Sequence, residues 1–291
     1  MFHANSRKDN EENLEQFVRD LKNSCELPQK KQYWALPIYL YDLFHAISYK
    51  YLPTRYGFGS NYKALIDTIN ESNYDQLLWV NLNYDLLADQ AISISTKHKL
   101  SHFKLDDYMS FETDDKKLRI KYTKPHGSVD WVRKLTGPSV RWQDIRIGLQ
   151  TVPVDFSERL SEEIYTIHEL PSGKIEEEYY PAITAPAGKD YSFVYKQHLD
   201  GMIEDLKNTS DVLCIGFSAL DEDILDLLKY IPKIVKLKIV NKTIEKGKEA
   251  FVRMGDYYKK IEEPEETAIF NEGFTQFIGQ DLQSWLSRNV T

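Results

Sequence analysis

The sequence predicts an α/β fold in which a parallel β-sheet is flanked by helices. Residues 76–92 and residues 210–228 carry this prediction, because each stretch reads as an apolar strand, a tight turn and an amphipathic helix. A further apolar run at 236–243 reads as another strand. Strands that alternate with helices favour a parallel sheet that is covered on its faces.

The composition is that of an ordinary globular protein and excludes several functions. Of the 291 residues, 42% are hydrophobic and 28% charged, and the net charge is −8 without a block of Lys or Arg, so we expect no nucleic-acid partner. Cys25 and Cys214 are too few for a four-thiolate zinc site or a disulfide framework. No apolar stretch reaches 18 residues and the first residues are polar, so we expect no membrane span, no signal peptide and a cytoplasmic protein.

Residues 1–60 are predicted to form an N-terminal helical segment. Residues 12–23 have the apolar spacing of a short helix. A second helix is predicted from Leu36 onward, with Pro37 in its first turn, where proline is tolerated. Residues 52–60 are predicted to follow as a loop.

Residues 61–291 are predicted to form the main domain, with a small irregular subdomain inserted at about 133–180. Within the insert, 146–152 is strand-like and 173–180 is acidic. The other predicted elements are a helix at 61–70, a strand at 118–123, a strand at 181–189 that runs into a Pro/Gly loop, and helices at 191–208 and at about 273–287.

Polar, turn-forming residues follow four of the predicted strands. They are Asn83-Tyr84-Asp85, His126-Gly127-Ser128, Gly216-Phe217-Ser218 and Asn241. The carboxyl ends of parallel strands meet at one edge of a sheet, where open α/β folds bind their ligands. We therefore expect these residues to share one crevice.

Each of these residues also has a purely structural interpretation. Asp85 precedes an apolar helix and, taken alone, is more simply its N-cap. His126 is equally consistent with a hydrogen-bonded turn residue, and Gly216 and Ser218 with a tight turn. Asp221 is most simply a cap of the helix that follows.

The stretches NLNYDLLADQA, KPHGSVDW, IGFSALDEDI and KIVN occur in the order and roughly the spacing of the sirtuin-like family. The chain resembles most the bacterial NAD-hydrolysing branch of that family, which occurs in anti-phage defence systems. The resemblance covers about residues 60–290 and implies a Rossmann-like sheet that binds NAD as a substrate. It also implies a homo-oligomer or a partner protein of a defence system, and no zinc.

The resemblance implies a role for each strand-end residue. Asn83 would orient an attacking water on the nicotinamide ribose, and His126 would be the general base. The residues implied in binding the cofactor are Asp85, Gly216, Ser218 and Asn241. Cleavage of the nicotinamide–ribose bond passes through an oxocarbenium-like state, for which fixed polar groups and a base near neutral pKa suffice.

The chain departs from the family at its start, where members carry an apolar strand and a Gly-Ala-Gly-x-Ser loop that holds the pyrophosphate. Neither is found, and GFGS at 57–60 reads as an ordinary loop because no buried strand precedes it. Without the first strand the sheet is expected to have a gap. Three explanations stay open: a missing segment upstream of Met1, a rearranged sheet, or a degenerate relative.

The leading hypothesis is an NAD glycohydrolase that releases ADP-ribose and nicotinamide. The alternative is a catalytically silent module that binds NAD or ADP-ribose or scaffolds a complex, which the absent Gly-rich loop favours. An NAD-dependent deacylase acting on protein is a third hypothesis, against which the acidic charge and the absent zinc motif count.

Overall fold

The chain folds into a mixed α/β structure with three small sheets. The computed structural model describes residues 17–51, 60–96, 98–99, 105, 110–115, 117–148, 152, 155–170, 175–184, 196–258 and 268–287. No helix within these ranges is long and apolar enough to cross a membrane.

Helices account for most of the described residues. In chain order they are α1 (17–23), α2 (Leu27–Tyr51), α3 (Asn61–Asn70), α4 (Leu87–Thr96), α5 (Trp142–Arg146), α6 (Ile175–Glu178), α7 (Lys196–Leu206), α8 (Glu222–Leu227), α9 (Ile244–Tyr257), α10 (Gly273–Gln280) and α11 (Leu282–Ser287). The strands are β1 (Gln76–Val80), β2 (Ser110–Glu112), β3 (Arg119–Thr123), β4 (Gly127–Leu135), β5 (Leu160–Thr166), β6 (Tyr179–Ile183), β7 (Asp211–Ile215), β8 (Lys236–Val240) and β9 (Ile269–Phe270).

The first sheet has the order β1-β3-β2, and its parallel pair confirms two predicted strands. β1 and β3 run parallel, from Gln76 opposite Arg119 to Val80 opposite Thr123. Its central strand packs Ile120 and Tyr122 against the main hydrophobic core, where both are fully buried. β2 joins antiparallel and was not predicted, because three residues carry too little periodicity.

The second sheet has the order β7-β8-β9 and is parallel throughout. β7 and β8 confirm the strands predicted at 210–228 and 236–243, whereas the two-residue β9 was not predicted. The predicted single parallel sheet is therefore wrong for the described residues. Its strands form two separate parallel units, because neither β1 nor β7 pairs with a second described strand.

The third sheet, β5-β4-β6, is antiparallel. β5 lies within the predicted insert, whereas most of β4 precedes the insert and β6 extends past its end. The prediction of an irregular subdomain was wrong, because long-range pairing orders this part of the chain. Residues 146–148 end α5 and form a turn rather than the predicted strand, and 149–151 lie outside the described residues. A separate core that includes Trp142, Phe156 and Ile38 joins the insert to α2.

Helix α2 begins nine residues earlier than predicted and continues through Pro37. Proline inside a helix removes one backbone hydrogen bond. Burial of the neighbouring Ala35 and Ile38 against the insert offsets that loss, so the predicted first-turn position was wrong. The division of the chain at residue 60 stays a prediction.

The remaining predicted helices agree with the structure except at their ends. α3 matches the prediction at 61–70, and Ser60 caps it by accepting a hydrogen bond from the backbone N–H of Lys63 at 3.2 Å. The helix at about 273–287 is broken at Asp281 into α10 and α11. Parts of four predictions lie outside the described residues, namely 12–16, 52–59, 185–189 and 191–195.

Gly127, at the start of β4, has a backbone that only glycine tolerates. Its φ is +87°, and a Cβ would lie 1.9 Å from the carbonyl oxygen of Ala182 on β6. We expect Gly127→Ala to lower the free energy of unfolding by about 2–5 kcal/mol, since the left-handed backbone costs about 1–2 and the forced contact about 1–3. Urea unfolding measures this change.

Gly216→Ala is the matched control, because Gly216 has a φ of +65° and nothing lies within 4 Å of the position that a Cβ would take. It should lose only the backbone contribution of about 1–2 kcal/mol. Equal losses in the two variants would contradict the close approach of β4 to β6.

Candidate functional site

A cavity of about 1420 Å³ lies between the β1-β3-β2 sheet and the β7-β8-β9 sheet. Asn83 and His126 both line it, from the ends of β1 and β3. Gly216 and Ser218 line it from the end of β7. The cavity thus brings together four of the six predicted site residues.

Asn83 stands in the loop after β1 with its side chain exposed to the cavity. Its backbone N–H donates to Asn81 Oδ1 at 3.1 Å, and its side-chain amide donates to the Tyr62 hydroxyl at 3.4 Å. Asn81 in turn donates to the hydroxyl of Tyr122 at 2.7 Å. The position of Asn83 therefore depends on a buried polar chain beneath the loop.

That chain centres on Lys124, whose ammonium group is fully buried. Its Nζ donates to the carbonyl oxygen of Asp85 at 2.6 Å, to Ser128 Oγ at 2.7 Å and to Asp89 Oδ2 at 3.1 Å. The Tyr122 hydroxyl donates to the same Asp89 oxygen at 2.9 Å. One cation thus ties the Asn83 loop, helix α4 and the His126 turn together.

The carboxyl group of Asp130 belongs to the same buried region. Burial raises its pKa, the charge of Asp89 raises it further, and Lys124 and Ser128 partly oppose the shift. Lys124 therefore stabilises the charge of two carboxyl groups, of which Asp89 is the one that it contacts.

His126 is paired with a carboxylate from the turn between β7 and α8. Its Nε2 lies 2.6 Å from Asp221 Oδ2. Burial by itself would raise the pKa of Asp221, but the hydrogen bond and charge of His126 and the N–H groups of Ile224 and Asp223 lower it below its ordinary value. An ionised carboxylate only accepts hydrogen bonds, so Nε2 carries a proton and a neutral imidazole keeps its lone pair on Nδ1.

Asp221 is both a cap and a partner of the histidine. Its Oδ1 accepts from the backbone N–H of Asp223 at 3.2 Å and of Ile224 at 3.3 Å, as the predicted capping role requires. Its Oδ2 contacts His126 Nε2, and the capping prediction did not include this contact. The carboxylate therefore fixes the imidazole relative to the N-terminus of α8.

The turn between β7 and α8 has a left-handed backbone at two points, of which only Ala219 is strained. Gly216 has a φ of +65°, and Ala219 is a non-glycine residue with a φ of 55°. Arg253 donates to the carbonyl oxygen of Ser218 at 2.9 Å and holds the turn from helix α9. Strained backbone of this kind recurs at ligand sites.

Asp85 and Asn241 are not part of the cavity wall. Asp85 is buried, and its side chain accepts from the backbone N–H of Leu87, the first residue of α4, at 3.0 Å. The Asn241 amide reaches the carbonyl oxygen of Phe217 at 3.5 Å and supports the Gly216 turn. Both residues contact loops that carry cavity residues.

Four residues that position the site were not predicted from the sequence, namely Lys124, Asp89, Asn81 and Tyr62. Lys124 lies inside the quoted motif KPHGSVDW, and a lysine between a buried strand and a tight turn is the only signal that marked it. Among the described residues, no group of three or more His, Cys, Asp or Glu side chains is arranged to hold a metal ion.

No family model and no curated protein matches the chain. The resemblance that rests on the sequence motifs stays a prediction.

Replacing Lys124 by methionine leaves Asp89 buried without its cation. We expect a loss of about 3–5 kcal/mol in the free energy of unfolding, since an uncompensated buried charge is expensive. Adding Asp89→Asn should restore part of the loss. Urea unfolding of both variants measures the effect.

Lys63→Met is the matched control, because Lys63 pairs with Asp67 at the surface of α3. Exposed pairs of this type contribute about 0.3–0.5 kcal/mol. If Lys124→Met costs no more than Lys63→Met, the buried cation does not organise the site.

Asp221→Asn tests the histidine–carboxylate pair through its pH dependence. Asparagine preserves the helix cap. Because the pKa of Asp221 is lower in the folded state, the stability that it adds over asparagine is complete above the ordinary value of 3.8. That advantage is lost as the pH falls through the lowered folded pKa.

Urea unfolding of wild type and Asp221→Asn from about pH 5 down to about pH 2 measures this difference, because a carboxylate whose pKa is lowered on folding loses its contribution in that range. The gap between the two free energies of unfolding should narrow in the acid range. A gap that stays constant or widens towards acid would contradict the pairing.

Proposed function

We propose that the chain is a sirtuin-like NAD glycohydrolase with a Rossmann-like site, acting in bacterial anti-phage defence. The single observation that supports this proposal most is that Asn83 and His126 line one cavity although 42 residues separate them in sequence. Gly216 and Ser218 line the same cavity. All four residues follow the carboxyl ends of parallel strands, the usual position of a ligand site in open α/β folds.

The proposed reaction breaks the bond between the nicotinamide nitrogen and C1′ of the ribose. The bonding electron pair leaves with nicotinamide and cancels its positive charge, so the leaving group needs no proton. Water then forms a bond to C1′ and gives up one proton. Acceptance of that proton by a base and stabilisation of the cationic sugar are the tasks left to the protein.

The geometry suits His126 to the first of these tasks. The Nε2–H group of His126 donates to Asp221 Oδ2, and the two atoms are 2.6 Å apart. Nδ1 is therefore the nitrogen that is able to accept a proton. The Asn83 side chain, exposed to the same cavity, offers an amide to position the water or the ribose hydroxyls. Lys124 acts as a positioning residue, because its bonds fix both loops without reaching the cavity wall.

Nicotinamide release from NAD by the purified chain tests this function. His126→Ala should lower the rate by about 10²–10⁴-fold, the usual contribution of a general base, and Asn83→Ala by about 10²–10³-fold. His45→Ala is the matched control, since His45 stacks on Tyr41 in α2, away from the cavity. Wild-type release no faster than that of His126→Ala would refute the activity.

A silent NAD- or ADP-ribose-binding module is the second candidate function. One observation favours it. Gly216 is the only glycine in the described turns that line the cavity, so these turns contain no Gly-rich loop for a pyrophosphate. Calorimetry with ADP-ribose separates the candidates. Binding without nicotinamide release supports the silent module.

A further inference from the structure

Strands β1 and β7 face the same cavity along their whole length. Every residue of Gln76–Val80 and of Asp211–Ile215 lines it. Within the described part of the chain, β1 pairs with β3 alone and β7 with β8 alone. We call the space between these two strands the slot.

The two strands lie in the same layer of the fold. Leu77 and Trp79 of β1 pack into one hydrophobic cluster with Leu213 and Ile215 of β7. Alternate residues pack on the other side, where Leu78, Val80 and Val212 share a second cluster. Because side chains alternate between the faces of a sheet, matched clusters on both sides place β1 and β7 edge to edge.

Side chains bridge the slot at both ends. At the start of the two strands, the Tyr74 hydroxyl donates to Asp211. Beyond their carboxyl ends, His126 Nε2 lies 2.6 Å from Asp221 Oδ2. These bridges join the two sheets but leave the strand edges between them without a described backbone partner.

The ladder between β1 and β3 fixes which backbone groups of β1 face the slot. Asn81 N–H donates to the carbonyl oxygen of Thr123 at 2.9 Å, and Asp75 accepts from the N–H of Arg119 at 2.8 Å. In a parallel ladder alternate residues bond to opposite sides, so the odd-numbered residues of β1 bond to β3. The residues whose N–H and C=O face the slot are Gln76, Leu78 and Val80.

The ladder between β7 and β8 fixes the other edge in the same way. Gly216 N–H donates to the carbonyl oxygen of Val240 at 2.9 Å, and Ser210 accepts from the N–H of Val235 at 2.8 Å. The even-numbered residues therefore bond to β8. The residues whose N–H and C=O face the slot are Asp211, Leu213 and Ile215.

We propose that the slot binds a parallel β-strand donated by a second polypeptide chain. The two edges offer N–H and C=O groups on both sides, and the layers above and below are apolar. An extended segment of at least five apolar residues has the matching chemistry, as in other complexes that add a strand to a sheet edge.

The described residues offer no unused strand to fill the slot. The strand-forming runs at 76–80, 119–123, 211–215 and 236–240 already form β1, β3, β7 and β8. The first sixteen residues include six charged side chains, and burying them between two apolar layers would be costly. The proposal does not depend on NAD hydrolysis, since it concerns backbone pairing along the strands.

A synthetic peptide with five central valine and isoleucine residues between lysine pairs tests the proposal. Hydrogen exchange of the purified chain is followed with and without the peptide. Binding should slow exchange of the amides of Gln76, Leu78, Val80, Leu213 and Ile215 by about tenfold or more, because they become hydrogen-bonded. Unchanged exchange at saturating peptide would overturn the proposal.

The matched control is the same peptide N-methylated at alternate central residues. It keeps the side chains and the charge but loses the donors that face one strand, so its affinity should fall by about tenfold or more. Equal affinity of the two peptides would mean that the slot is a plain apolar cavity. Protection that grows with protein concentration in the absence of peptide would overturn the external donor in favour of a second copy of this chain.

Addition of ADP-ribose distinguishes failure of this proposal from failure of the proposed function. ADP-ribose should protect the turn at 216–218 and leave the amides of the two strands unchanged. A peptide effect without an ADP-ribose effect supports strand binding alone. The reverse result overturns strand binding and leaves the nucleotide site standing.

Discussion

The buried ammonium of Lys124 is the constraint on which the site depends. A cation removed from water has to be surrounded by oxygen acceptors, and here they come from Asp85, Ser128 and Asp89. These acceptors belong to the loop after β1, to the start of β4 and to helix α4. Satisfying one charge therefore holds the loop after β1 and the adjoining helix α4 against the turn between β3 and β4. Asn83 stands in that loop and His126 in that turn.

A second pairing joins this unit to the other half of the molecule. The contact between His126 and Asp221 links the β3–β4 turn to the N-terminus of α8. Asp221 is itself held by two backbone N–H groups, so the imidazole rests on a carboxylate that cannot turn away without uncapping a helix. The two pairings differ in how far they are exposed to solvent. Lys124 is inaccessible and structural, whereas His126 is partly exposed at the cavity.

Local patterns are enough to predict β1, β3, β7 and β8. Apolar residues predominate in β1, β7 and β8, β3 alternates apolar with polar residues, and each is followed by turn residues. Local patterns are not enough where contacts between residues far apart in sequence determine the structure. A local rule places Pro37 at a helix start, and packing against the insert overrides that rule. The antiparallel insert reads as irregular because its order comes from pairing across long separations. The sequence indicates only a capping role for Asp221, since nothing local marks a partner 95 residues away. Lys124 is missed because lysine is ordinarily exposed.

The two halves of the candidate site lie on either side of the expected gap in the sheet. Asn83 and His126 extend from the β1–β3 unit, whereas Gly216 and Ser218 extend from the β7–β8 unit. The width of the slot therefore sets the distance between the residues proposed to act on the ribose and those proposed to face the rest of the nucleotide. A strand that pairs with both edges would fix this width at two inter-strand spacings, about 9–10 Å. Occupancy of the slot and the geometry of the cavity are thus coupled through the backbone, without any direct contact between the strand and His126.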